Sequence, residues 1–266
     1  MYQLGKIPSD FQIRKFIRRI LFGRNIFCPK CRSKDVICYE ARYRCRNCRC
    51  KFSLLSHTWI SNTKIPLRQL WLVIWCFVAQ IPIQQASLVS GLSQKAIRYW
   101  YTSFRKHLPK DKVVLEAIVQ LDEAYFGGFK GRALLMAKEK GTRKLAYKIL
   151  NHDPSRLDAW NFLRENIKPS SILCTDGFSI YQGIERLYPV THFVDVHKSW
   201  EFGKTSEIEG IFGNLRTFIR RMYHHVTPEK LPEIVGEFVC RFSHREMFKS
   251  PRIFLRNTLC LVPTGY

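Results

Sequence analysis

Three acidic residues stand where rigid elements would present them. Asp122 lies in IVQLDEAYFGG, residues 118–128, which alternates apolar and other side chains up to the pair Asp122-Glu123. Asp176 closes the apolar stretch SILCTD, 171–176, and Glu209 falls near the start of the helical pattern TSEIEGIFGNLRTFIRR, 205–221. Three carboxylates on two strands and a helix can converge on one point. Their oxygens suit two hard divalent cations, Mg²⁺ or Mn²⁺, with Asp122 as the shared ligand, Asp176 on one ion and Glu209 on the other. A second constellation is sulfur-based. Cys28-x2-Cys31 is followed, after a gap of 13 residues, by Cys45-x2-Cys48. Two such knuckles offer four thiolates in a tetrahedron, the closed geometry of structural Zn²⁺, with no open position for chemistry.

The neighbours of these residues have plainer readings. Period-two alternation puts Glu123 on the strand face opposite Asp122, which makes it structural. Glu207 is two residues from Glu209 and points elsewhere on a helix. Arg216, seven residues after Glu209, returns to roughly the same face, either as a contact to DNA phosphate or as a surface arginine. His197-Lys198 and His224-His225 are further candidates for touching DNA. Gly127-Gly128 is a turn after a strand. It lacks the Lys-Ser/Thr pair of a phosphate-binding loop, so no ATP-driven step is implied.

The elements that would carry these groups follow from periodicity. Residues 1–23 hold a short basic helix, SDFQIRKFIRRIL, capped by Ser9 or Asp10, whose cationic face is either solvated or laid on DNA backbone. Residues 24–58 form the cysteine module. Its VICYEARYRC segment reads as a hairpin, and the metal would supply much of its folding energy. Within 64–110, the run LWLVIWCFVA at 70–79 is about half a bilayer-spanning length, so it reads as a buried helix. There follows a helix from Ile83 to Val89, a turn at Ser90-Gly91, and a second helix capped by Ser93. That is the helix-turn-helix pattern. Ala86, Val89, Leu92, Ile97 and Trp100 are its expected core. Lys95, Arg98, Tyr101, Thr102 and Arg105 are its expected exposed, groove-facing side chains. From Val113 to about residue 250 the order is three strands, helix, strand, helix, strand, helix, a mixed α/β pattern. After Pro251, residues 251–266 show no clear pattern.

Charge points the same way. The chain of 266 residues carries 44 Lys and Arg against 21 Asp and Glu, a net charge of +23. Residues 1–112 hold 22 basic and 4 acidic residues, so the excess is concentrated there. A polyanion is the natural partner, and nucleic acid the commonest one. No secretory signal opens the sequence, and the cysteines have metal-site spacing. Both features favour a reducing cytoplasm without membrane insertion.

Several blocks in one order resemble the bacterial insertion-sequence transposases of the IS1595, or ISXO2-like, group. They are the Cys28/Cys31/Cys45/Cys48 ribbon, LDEAYFGG, TDGFSIY, VDVHKSWEF, SEIEGIFGNLR, MYHHVTPEKL and EFVCRFSHR. Thr205-Ser206-Glu207 and Phe242-Ser243-His244 depart from the family's usual runs. The resemblance implies a ribonuclease H-like core behind a zinc ribbon and a helix-turn-helix. It also implies a catalytic triad of Asp122, Asp176 and Glu209. The expected substrates are double-stranded DNA ends with terminal inverted repeats, and target DNA. The expected assembly is a dimer or larger synaptic complex, because two ends must be held together. The competing function is a noncatalytic, site-specific DNA-binding protein or repressor on the same scaffold.

Overall fold

A computed structural model describes residues 7–39, 42–61, 63–126, 132–195 and 205–261. The chain divides into two compact units, residues 1–109 with 245–266, and residues 110–244.

The first unit begins with α1 (Asp10–Phe22). Ser9 accepts a hydrogen bond from the Gln12 amide while the Gln12 side chain returns to the Ser9 amide, a reciprocal cap. Next comes a three-stranded antiparallel sheet of β1 (Val36–Tyr39), β2 (Arg42–Cys45) and β3 (Lys51–Phe52). Phe22, Phe27, Tyr43 and Phe52 form a chain of ring contacts behind it. The apolar run forms α2 (Leu67–Val78), where eight residues are buried. Among the described residues no helix is long and apolar enough to cross a membrane.

Then α3 (Ile83–Ser90) ends at Gly91, whose left-handed φ of 69° a side chain would strain. Ser93 caps α4 (Gln94–Lys106) through the Ala96 amide. The phasing differs from expectation at two positions. Tyr101 is fully buried, with its hydroxyl donating to Ile81 O at 2.8 Å. Ile97, Trp100, Tyr101 and Phe104 make the inner stripe of α4, so the helical repeat turns Tyr101 inward and leaves Tyr99 64% exposed. Val89 is exposed instead of joining the core.

Residues 251–258 form a helix, where no pattern was expected. Ser250 accepts from the Ile253 amide, Pro251 occupies the first turn, and α8 (Pro251–Thr258) follows. Its Phe254 packs against Phe77 and Phe104, and Thr258 O accepts from the Trp59 indole. Residues 245–250, read from sequence as the end of the second domain, belong with this unit.

The second unit is built on five strands in the order β6-β5-β4-β7-β8. β4 (Ile118–Phe126), β5 (Arg132–Glu139) and β6 (Leu145–Leu150) are antiparallel, turning at Gly141 with φ 73°. β7 (Ile172–Thr175) and β8 (Thr191–Val194) run parallel to β4. Three antiparallel strands continued by two parallel ones, with crossover helices, is a ribonuclease H-like α/β fold. One face of the sheet, with Val119, Leu121, Leu135 and Leu173, buries α5 (Arg156–Asn166) through Ala159, Phe162 and Leu163. Ser155 caps α5 reciprocally with Asp158. α6 (Ser206–Tyr223) turns Ile208, Ile211, Phe212, Leu215, Phe218 and Met222 inward. α7 (Leu231–Ser243) starts three residues after Pro228, with Pro232 tolerated in its first turn. Inside α7, Glu237 and Arg241 form a buried ion pair, and the Tyr223 hydroxyl donates to the same carboxylate.

Candidate active site and metal centre

Asp122 and Asp176 meet because their strands are neighbours that part company. β4 and β7 pair only from Ile118↔Ile172 to Gln120↔Cys174. Beyond Gln120, β4 runs on without a partner on that side among the described residues while β7 ends, and Asp176 follows at once. The carboxyl ends of parallel strands are where open α/β sheets place their ligands. Asp176 is held by a local turn, with Oδ1 accepting from the Phe178 amide at 3.1 Å. Behind it, the buried Thr175 hydroxyl donates to Asp176 O and lies 2.8 Å from His192 Nε2, whose Nδ1 faces Glu185.

The carboxylate set differs from the expected one in a single member. Asp122, Glu123 and Asp176 bring their oxygens within 4.8 Å of one another, close enough to hold a metal ion together. Glu123, read from sequence as facing away, is therefore part of the cluster. Alternation fixes where a Cβ leaves the strand, but a glutamate is long enough to turn around an unpaired strand edge. Its Oε2 there accepts from the Tyr181 hydroxyl at 2.7 Å. Tyr181 is fully buried, and its fixed hydroxyl sets where the carboxylate ends.

Glu209 stands outside that tight group but within electrostatic reach. Burial pushes Asp122 up from its ordinary 3.8 to about 6, with the charges of Asp176 and Glu209 adding to the rise and Arg216 opposing it. Glu123 is pushed up to about 7, again chiefly by burial, then by Asp176 and Asp122, against the pull of the Tyr181 bond. The Glu209 carboxylate accepts from the Thr205 hydroxyl at 3.2 Å, and the same hydroxyl lies 3.2 Å from Asp195 Oδ2. Arg216 is exposed on α6 yet close enough to act on Asp122. Glu207 points away from Glu209, toward Lys138. His224 and His225 follow the end of α6, whereas His197, Lys198, Gly127 and Gly128 lie outside the described residues.

The sulfur site is assembled as its spacing implies. Cys28, Cys31, Cys45 and Cys48 bring their Sγ atoms within 4.8 Å of one another. Cys28 and Cys48 are 3.5 Å apart, as are Cys31 and Cys45. Cys28 and Cys45 are buried, and the backbone amide of Ser33 helps lower the Cys31 thiol to about 7. Four converging thiols fit a Zn²⁺ ion, which binds the thiolate form. Cys38 and Cys50 lie outside the tetrad.

In the first unit, Lys95 and Arg98 are exposed on α4, Thr102 and Arg105 are half-buried, and Tyr101 is inside. The outward aromatic of that helix is Tyr99, a residue the sequence reading passed over. The 3.6-residue repeat through Ile97, Trp100 and Phe104 is the signal that could have found it.

Comparison with known proteins agrees with the second unit. The family described as ISXO2-like transposase domain matches residues 114–243. That stretch is homologous to the DDE transposase domains of the IS1595 family. The chain is also 26% identical over 139 residues to an uncharacterized protein in transposable element ISH50 of Halobacterium salinarum. That similarity spans 50% of this chain and 47% of the relative, so about half of the relative's length is matched. Among solved structures, a chain in the cryoEM structure of the simian T-cell lymphotropic virus intasome in complex with PP2A regulatory subunit B56 gamma aligns with TM-score 0.36 and 11% identity. The alignment covers 63% of this chain and 66% of that one.

Proposed function

We propose that this chain is a DDE transposase that binds the terminal inverted repeats of an insertion sequence and catalyses metal-dependent DNA cleavage and strand transfer. The observation that carries the reading is the convergence of Asp122, within β4, with Asp176, just past the end of the neighbouring β7, inside the domain homologous to IS1595-family transposases. Mg²⁺ or Mn²⁺ held there would polarise a phosphodiester and activate the attacking oxygen. Asp122, Asp176 and Glu209 are the ligands of this reading, and Glu123 stands within reach of the same ions. The half-buried acidic cluster supplies negative charge that a cation would offset. Arg216, beside Asp122, would face DNA phosphate and limit its repulsion from the carboxylates.

DNA is positioned by the basic first unit, with Lys95, Arg98, Tyr99 and Thr102 on the outer side of α4 and Arg105 at its margin. The tetracysteine site would hold Zn²⁺ as a structural ion. Two ends joined in one reaction call for a dimer or larger complex on paired-end DNA, acting in the cytoplasm without ATP.

The test supplies full-length protein with paired-end DNA, target DNA and Mg²⁺ or Mn²⁺, and follows joined product. Asp122→Asn abolishes joining and leaves end binding in place. Identical joined product from wild type and Asp122→Asn overturns the assignment. Tight end binding by wild type without cleavage under any metal condition replaces it with a noncatalytic, site-specific DNA-binding protein.

A further inference from the structure

Two polar side chains are buried where the sheet receives α6, and the proposed chemistry does not use them. Gln120 and Lys138 are directly opposite each other in the β4–β5 ladder. Gln120 is fully buried and Lys138 is 5% exposed, in a sheet whose neighbouring positions are Val119, Leu121, Met136 and Ala137. Gln120 Oε1 accepts from the Ile208 amide at 3.0 Å, an amide shared with Thr205 O at 3.1 Å. Lys138 Nζ donates to the Glu207 carboxylate, and to Thr142 O at 2.9 Å and Glu139 O at 3.2 Å. Among the described residues, the Gln120 Nε2 has no hydrogen-bond partner.

This arrangement is a poor way to gain stability. A buried amide donor left unpaired costs free energy, and taking the Lys138 ammonium out of water to meet a half-exposed Glu207 is often no better than apolar packing. Simple docking of a helix on a sheet would use leucines. Apolar packing, however, lets a helix slide or rotate by a fraction of a residue, whereas a hydrogen bond to one backbone amide fixes both. Thr205, at the start of α6, offers no side-chain bond to the first-turn amides; its hydroxyl faces Asp195 and Glu209 instead. The first-turn amide that a cap would normally satisfy is held by a residue of β4, two positions before Asp122.

We propose that Gln120 and Lys138 are positioning residues that clamp the first turn of α6 to the sheet and thereby set the Glu209 carboxylate against Asp122 and Asp176. This rests on Glu209 being a metal ligand, as proposed above. Glu207 and Ile208, the two residues gripped, immediately precede Glu209. The clamp joins the strand that carries one ligand to the helix that carries another. It fixes their separation without touching the ion.

The test measures Mn²⁺ affinity of full-length protein by the electron paramagnetic resonance signal of free Mn²⁺, together with the Mn²⁺ concentration that half-saturates strand transfer. Gln120→Leu keeps the volume and removes the acceptor. It weakens Mn²⁺ binding about tenfold, in line with other residues that orient metal ligands. Half-saturation of strand transfer moves in parallel. Glu207→Gln keeps an acceptor for Lys138, preserves the fold if Gln120→Leu does not, and gives a smaller loss. In a Glu209→Gln background neither substitution weakens Mn²⁺ binding further, because each acts through Glu209. Unchanged affinity in the folded variants overturns the clamp. So does an equal loss with and without the Glu209 carboxylate, which would mark a general effect of stability or charge. A wild type whose Asp122-dependent Mn²⁺ binding is absent overturns the transposase reading and the clamp with it.

Discussion

Asp122→Asn should stabilise the metal-free protein while destroying its chemistry. The native fold holds the Asp122 carboxyl at about 6 against an ordinary 3.8, first because it is buried and then because Asp176 and Glu209 are near. Each pKa unit corresponds to 1.36 kcal/mol, so ionising Asp122 in the folded state costs about 3 kcal/mol more than in the unfolded chain. The sign follows from proton linkage. The native state binds more protons than the unfolded one between the two values, so this contribution is fully favourable below about pH 4 and is lost as pH rises through about 6. Asparagine carries no such charge.

Urea unfolding in chelator should therefore find Asp122→Asn and wild type similar at pH 4. The variant's advantage should grow through pH 6 and level off above it, at up to about 3 kcal/mol. Taking the difference between the two proteins cancels the titrations that do not sense Asp122, leaving Asp122 and the neighbours coupled to it, Glu123 among them. Added Mn²⁺ should stabilise wild type and leave the variant largely unmoved. An advantage that is absent at pH 8, or that does not change between pH 4 and pH 8, would refute the claim that burial and neighbouring charge raise this carboxyl.

Two further predictions concern the first unit. Purified full-length protein prepared without chelator should contain about one equivalent of Zn²⁺, and Cys31→Ser should lose it and loosen β1–β3; folded, metal-free wild type would contradict this. Tyr99→Ala and Tyr101→Phe should separate two roles on one helix. The first weakens end binding with no change in thermal midpoint. The second lowers stability by about 1 kcal/mol through the lost hydroxyl bond to Ile81 O and leaves binding intact; the reverse pattern in filter-binding and melting experiments would show α4 to be phased differently.

Much of the architecture was legible because local signals agreed with one another. Ser9, Gly91, Ser93 and Ser155 mark helix ends by chemistry that needs no tertiary context. The alternation around Asp122 and the apolar run before Asp176 marked the two strands whose order in the sheet brings the acids together. The failures came where context decided. Glu123 has the strand parity of a residue facing away, and only the unpaired edge of β4 and the Tyr181 hydroxyl bring it round. Tyr101 was placed outside on its chemistry when the repeat of its own helix placed it inside. Gln120 and Lys138 were visible as polar residues in apolar strands, yet nothing in the chain order said that a helix 70 to 90 residues later would need them. The cap at Ser250 with Pro251 behind it was a readable start signal that was missed because the helix it opens is short.

That last helix gives the chain a particular order of completion. Phe254 and Leu255 are core residues of a unit whose other residues are the first 109. On the ribosome, residues 1–109 emerge early but must wait for residues 251–258 before Phe77 and Phe104 have Phe254 as a neighbour. A chain released early would leave that aromatic cluster open to water and to proteases, however complete its zinc ribbon. Removing residues 245–266 should therefore damage the unit that begins the sequence more than the unit they follow, and truncations meant to isolate the basic amino-terminal half need the tail restored.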